Sequence, residues 1–199
     1  MVLVFASNNA HKLSEVRQIM PEGIRVLSLS EIGFTQEIEE NGTTLEENSR
    51  IKAEAVYHWL NSQSANHPSF DGVFADDTGL EIDALDGRPG VYTARWAGEP
   101  AANRAKALHE LADKENRNAQ FRTVITLIMN GQKCQVEGVV RGRIATEEYG
   151  QGGFGYDPVF IPEGYDRTFG ELPAEIKNGI SHRARALQAL VELLNKQKA

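Results

Sequence analysis

The dipeptide Asn130-Gly131 constrains this chain more than any other feature. It lies between two runs of extended character, residues 121–129 and 132–140, and Asn-Gly suits a two-residue turn in which both central residues take positive φ. The middle of the chain is thereby committed to a long antiparallel hairpin, and the other elements must be arranged around it. Residues 2–6 form an apolar run that reads as a buried strand, followed by the polar turn Ser7-Asn8-Asn9. Leu13, Val16, Ile19 and Met20 then recur at helical spacing until Pro21. Thr44 and Glu47 have the spacing of a capping box, and the helix they open is read with an apolar face of Leu45, Ile51, Ala55 and Trp59. After a loop at residues 62–69, Val73-Phe74-Ala75 reads as a short central strand that Gly79 breaks, with extended structure resuming over residues 80–85. A helix is expected over residues 101–113 and a strand over residues 158–161. Leu187, Leu190, Val191 and Leu194 mark a last helix, with Ser181 as its cap. Strands and helices in mixed order about a hairpin predict an α/β fold with a mixed β-sheet.

Composition narrows the function. The 199 residues include 21 Lys and Arg against 28 Asp and Glu, a formal charge of −7, and the cations are scattered among acids. A broad nucleic-acid binder carries a basic stripe, so no nucleic-acid partner is expected. A polyphosphate ligand would need a metal to bridge it to nearby carboxylates, which would otherwise repel it. With 41% hydrophobic residues and about 70% of its surface buriable, the chain supports one core, and a single domain over residues 1–199 is expected. No apolar run is long enough to span a membrane, and Met-Val-Leu-Val-Phe-Ala lacks the basic region of a signal peptide. One cysteine, Cys134, excludes an internal disulfide, so a cytoplasmic location is predicted.

Four segments place polar residues beside glycine or an element end. Residues 7–12, Ser-Asn-Asn-Ala-His-Lys, open a helix whose N–H groups, with Lys12 one turn in, suit a phosphate; an ordinary capped helix with a solvated lysine fits them too. It is not a P-loop, since the glycine-rich stretch and Gly-Lys-Ser/Thr are missing. Asp76-Asp77-Thr78-Gly79 places two carboxylates that alternate across a strand, so one is expected to face a ligand while the other bonds the turn near Gly79. Such acids suit Mg²⁺, and also an Asp-rich turn. In Gly152-Gly153-Phe154-Gly155-Tyr156-Asp157 the glycines permit close backbone approach, and Phe154 and Tyr156 offer a stacking face for a base. A flexible loop would explain the same glycines. Lys177 through His182 and Arg183 put a cation and an imidazole at the start of the last helix. Glu39, Glu40, Glu46 and Glu47 form an acidic run near Lys52, read as mostly solvated.

Taken in order, Ser-Asn-Asn-Ala-His-Lys, Ala-Asp-Asp-Thr-Gly-Leu, Gly-Gly-Phe-Gly-Tyr-Asp-Pro and Ser-His-Arg, with Pro89-Gly90-Val91-Tyr92-Thr93-Ala94-Arg95, resemble the inosine triphosphate pyrophosphatase family, the dITP/XTP pyrophosphatases. The resemblance runs from residue 3 to about residue 194. It implies an elongated, two-lobed α/β domain with a mixed sheet and a cleft between lobes, usually a homodimer. It also implies Mg²⁺-dependent hydrolysis of nucleoside triphosphates to monophosphate and pyrophosphate, with deaminated purines (ITP, dITP, XTP) preferred. Carried over position by position, Ser7, Asn8, Asn9, Ala10, His11 and Lys12 match the triphosphate-binding turn. Glu40 matches a metal-associated acid and Lys52 a phosphate-side lysine. Asp77 matches the catalytic acid, as proton acceptor and metal partner, with Thr78 beside it on the substrate. Phe154, Gly155, Tyr156 and Asp157 match the base-binding stretch, completed by Lys177, His182 and Arg183. Two positions depart from the pattern: Thr78 stands where serine is common, and Asn8 where many members have glycine. Two other readings remain at this point: a Mg²⁺-dependent phosphatase acting on a phosphate ester, and a nucleotide-binding module without turnover.

Overall fold

A computed structural model describes residues 1–63 and 67–196, so residues 64–66 of the expected 62–69 loop lie outside the described residues. The strands are β1 (Val2–Phe5), β2 (Arg25–Leu27), β3 (Gly72–Ile82), β4 (Pro89–Gly90), β5 (Asn118–Met129), β6 (Gln132–Ile144) and β7 (Phe160–Pro162). The helices are α1 (Ala10–Ile19), α2 (Leu45–Ser62), α3 (Pro100–Glu110), α4 (Ala174–Ile180) and α5 (His182–Lys196). Hydrogen bonding follows the order β2-β1-β3-β5-β6-β7, with β4 pairing to β3. Parallel and antiparallel pairs both occur, so the predicted mixed α/β sheet is what forms.

The chain divides into two compact units, the first of Met1–Asp77, Thr123–Glu137 and the residues from Ala186 on, the second of Thr78–Arg122 and Gly138–Arg185. In the first, β1 runs parallel to β2, with Leu3 opposite Val26, and parallel to β3, with Val4 opposite Val73. The two-residue period of these strands sorts their side chains into two cores. Leu3, Phe5 and Phe74 face a core with Val16 of α1 and Leu187, Leu190 and Leu194 of α5. Val4, Ala6, Val73 and Ala75 face the other, with Ala53, Val56 and Leu60 of α2. In the second unit, β4 pairs antiparallel with β3 and β7 with β6, around Leu80, Ile82, Phe121, Tyr156, Phe160 and Phe169.

The hairpin forms where expected: Asn130 and Gly131 take φ of 52° and 76°, and both flanking strands extend beyond the predicted runs. Three expectations change. β3 continues through Gly79, because backbone pairing and burial in a central strand outweigh glycine's weak strand preference, and Asp83–Leu85 is a 3₁₀ turn instead of extended chain. Pro158 sits in a second 3₁₀ turn, Asp157–Val159, so the strand starts only at Phe160. The buried face of α2 is Leu45, Asn48, Ser49, Lys52, Ala53, Val56 and Leu60, not the stripe through Ile51, Ala55 and Trp59. No helix among the described residues is long and apolar enough to cross a membrane.

Candidate active site

The first cluster is built from β1, β3 and α2. Where β1 ends, Ser7 Oγ accepts from the Asn9 backbone N–H at 3.2 Å, and Asn9 Oδ1 accepts from the Lys12 backbone N–H at 3.1 Å. Asn9 is therefore the N-cap of α1, one turn before the Lys12 side chain. Asn8, Asn9, Ala10 and His11 are exposed, while Ser7 and Lys12 are half-buried. Lys12 Nζ reaches 2.9 Å from Asp76 Oδ1. Asp76 thus meets a lysine from 64 residues earlier, and the turn at Gly79 that one of the two acids was expected to bond does not form.

Strand alternation sends the next carboxylate elsewhere. Lys52 Nζ lies 2.8 Å from Glu40 Oε2 and 3.5 Å from Asp77 Oδ1. Glu40, expected to be solvated with its acidic neighbours on residue pattern alone, is instead an ion-pair partner. Burial alone would depress the Lys52 pKa, but Asp77, Asp76 and Glu40 outweigh it and hold the ammonium above its usual range. Asp77 moves the other way from a typical paired carboxylate. Burial pushes its pKa up, reinforced by Glu40 and Asp76, and the pull of Lys52 and Lys12 does not restore it. Its Oδ2 is buried with no hydrogen-bond donor among the described residues.

That oxygen bears on the expected Mg²⁺. Among the described residues, no three His, Cys, Asp or Glu side chains are grouped to hold a metal ion, so these residues form no closed cage. Mg²⁺ does not require one: it commonly takes one or two carboxylates, with waters and substrate phosphates completing its shell. A buried Asp77 Oδ2 with unused lone pairs, and a Glu40 carboxylate on the same lysine, fit that partial ligand set.

The second cluster belongs to the other unit. Asp157 Oδ2 accepts from the Phe154 backbone N–H and from Lys177 Nζ, both at 2.7 Å, which clamps the glycine-rich loop. Gly153 has φ of 71°, and a Cβ there would collide with the Asp157 carboxylate. Lys177 Nζ lies 4.9 Å above the Phe154 ring centroid, and the Arg183 guanidinium 5.8 Å from it. His182 stacks on Phe121 with centroids 4.7 Å apart and planes 18° apart. Lys177 falls in α4 and His182 opens α5, and Ser181 Oγ accepts from the Ala184 N–H as the expected cap.

Phe154 and Tyr156 do not serve alike. Phe154 is half-buried, whereas Tyr156 is only 5% exposed, packs against Phe121 and donates its hydroxyl to the Thr93 carbonyl at 2.9 Å. Burial raises the pKa of that hydroxyl. Tyr156 is a core residue, whereas the Phe154 ring is half-buried with Lys177 and Arg183 against it. Gly155 matters through its carbonyl, which accepts from Arg104 Nη1 at 2.9 Å. Thr78 is half-buried in β3, the residue after Asp77.

Sequence reasoning missed Asn48, Ser49 and Arg104. For the first two a signal existed: with Lys52 they lie at i, i+1 and i+4, inside a stripe completed by Leu45, Ala53 and Val56. Polar residues on the buried side of an amphipathic helix mark groups with internal partners. Arg104 carried no such mark.

Comparison with known proteins covers the span that holds the four motifs. The Ham1 family matches residues 3–193. A dITP/XTP pyrophosphatase of Flavobacterium johnsoniae is 46% identical over 201 residues, covering 100% of both chains. One from Bacillus subtilis is 48% identical, covering 96% of each. Among solved structures, the Ham1 protein of Staphylococcus aureus has a TM-score of 0.85 at 39% identity, covering 99% of this chain and 100% of its own. A dITP/XTP pyrophosphatase of Mycobacterium abscessus has a TM-score of 0.74, also at 39% identity, covering 96% of this chain and 98% of its own. With the family matched over nearly all of its length and relatives this similar, the chain belongs to the Ham1 family.

Proposed function

We propose that this chain is a nucleoside triphosphate pyrophosphatase acting on dITP, XTP and ITP, working as one domain over its 199 residues. The name carried by its relatives supports the substrate class. The single observation that supports the chemistry is Asp77: a buried carboxylate with one unpartnered oxygen, next to one lysine and under the influence of a second. Lys12 and Lys52 supply positive charge for the phosphate chain, with the exposed turn Asn8–His11 beside them. The Asp77 carboxylate orients a water and takes its proton. The water oxygen bonds to the α-phosphorus, the bond from that phosphorus to the β-bridging oxygen breaks, and pyrophosphate leaves. Mg²⁺, held by Asp77 and Glu40, would supply charge neutralisation at the phosphate oxygens and acidify water.

The Phe154 ring provides a face for the base, with Lys177 and Arg183 against it. Hypoxanthine and xanthine present a 6-oxo acceptor and an N1–H donor, and adenine reverses both. Donors such as Arg183, His182 or a loop N–H would therefore discriminate by up to about 10⁴. A homodimer in the cytoplasm completes the reading. The test is a panel of triphosphates incubated with and without Mg²⁺, with both products identified. Monophosphate plus pyrophosphate from dITP, XTP and ITP is expected. Orthophosphate release would favour the phosphatase reading, and binding without turnover the nucleotide-binding one.

A further inference from the structure

One turn of α2 carries three polar side chains on its buried face: Asn48 is 1% exposed, Ser49 0% and Lys52 7%. Buried polar groups are costly unless bonded, so their partners identify what the turn is for. Asn48 Oδ1 accepts from the Gly42 backbone N–H at 2.8 Å. Ser49 donates to the Ala75 carbonyl at 3.0 Å and lies 2.7 Å from Thr126 Oγ1, to which Gln135 Nε2 donates. Lys52 pairs with Glu40 and Asp77. The same turn therefore grips the chain two residues after Glu40 and one residue before Asp76-Asp77.

The acids on either side of Lys52 are not secured in the same way. Asp77 lies inside β3, where the strand ladder and the Ser49 bond to Ala75 fix the backbone. Glu40 has a side chain 35% exposed and stands in residues 34–42, which form no regular element. Its nearest backbone anchor is the Gly42 amide on Asn48, followed by Thr43 N–H on Glu47 Oε2 at 2.7 Å. Gly42 is also built into this contact: a Cβ there would stand 2.6 Å from Asn48 Oδ1 and 2.7 Å from Glu47 Cβ.

We infer that Asn48 is a positioning residue. It holds the loop that bears Glu40 against Lys52, and so sets where the Glu40 carboxylate meets the divalent cation of the reaction proposed above, on which this inference rests. The test uses the full chain with Asn48→Ala and Asn48→Asp, the latter keeping an acceptor for the Gly42 amide. Amide exchange at Gly42 is read by NMR in the metal-free protein, and the Mg²⁺ concentration giving half-maximal dITP hydrolysis is read separately. Asn48→Ala should speed exchange at Gly42 about tenfold and raise the half-saturating Mg²⁺ about tenfold. The KM for dITP at saturating Mg²⁺ should stay near the wild-type value, and Asn48→Asp should restore most of both changes. Should Asn48→Ala not fold, Gly42→Ala, which leaves Asn48 in place but forces the contact apart, should give the same two shifts. Unchanged exchange at Gly42, or a lower rate with an unchanged Mg²⁺ requirement, overturns the inference. A wild-type protein that cleaves no triphosphate removes the proposed reaction instead, and the exchange measurement then still decides whether Asn48 holds the loop.

Discussion

At the scale of single residues, Asp77 owes its character to being buried faster than it is compensated. Lys52 approaches one carboxylate oxygen at 3.5 Å, and the other has no donor. Burial therefore dominates and its pKa rises. The folded protein holds that proton more tightly than the unfolded chain, whose aspartates titrate near about 3.9. By linkage, the contribution of Asp77 to stability is largest at low pH and is lost as pH rises through the folded pKa. Urea unfolding of the metal-free protein should thus show the stability difference between Asp77→Asn and wild type shifting toward the variant from pH 4 to pH 7. The same variant should keep its fold by circular dichroism and lose about a hundredfold or more in dITP turnover. Lys52 has the same sign in a more alkaline range: its raised pKa gives a contribution intact below the unfolded lysine value and lost as pH climbs through the folded one. Tyr156 is a second residue-scale case. Because its hydroxyl is spent on Thr93 inside the core, Tyr156→Phe should lower stability by about 1 kcal/mol in chemical denaturation and leave base selectivity unchanged.

At the scale of elements, some of the architecture could be read ahead and some could not, for identifiable reasons. Asn130-Gly131 specified its hairpin because few residue pairs accept positive φ twice, a local constraint that no tertiary contact had to supply. Thr44 and Ser181 were legible as capping residues because a side-chain oxygen bonding a helix N–H is likewise a local constraint. Removing the Thr44 side chain, which accepts from the Glu47 N–H at 3.1 Å, should cost about 1 kcal/mol by thermal unfolding. Gly79 misled because it lies in a buried stretch of β3, next to Leu80 and Glu81, which pair with Gly90 and Pro89 of β4, and such pairing and burial override propensity. The buried face of α2 misled because a search for apolar periodicity rejects Asn48, Ser49 and Lys52, which are the positions the cluster uses. Tyr156 was assigned by residue type to a stacking face, although a ring two residues from Phe154 can point into the core instead. The residues around Asp77 were thus legible as motifs, while the pairings Lys12 with Asp76 and Lys52 with Glu40 depended on contacts across 64 and 12 residues.

For the whole molecule, the proposed reaction assigns the divalent cation to catalysis and not to folding, because no three ligating side chains are grouped among the described residues. Chelation of divalent cations should abolish dITP hydrolysis and leave the melting temperature within about a degree, since a structural ion would instead contribute folding energy outright. Its overall acidity, with a net charge of −7, makes the local arrangement at Asp77 all the more consequential. Glu40, Asp76 and Asp77 face Lys12 and Lys52, so the pocket of charge has one more anion than cation. A naked triphosphate nearing this spot is pushed away, and a bound divalent cation lessens that repulsion, because it cancels part of the nucleotide's charge and is itself drawn to the carboxylates. Discrimination in such an enzyme starts before any base is inspected, at the counting of charges, and free nucleotide should compete poorly with its magnesium salt.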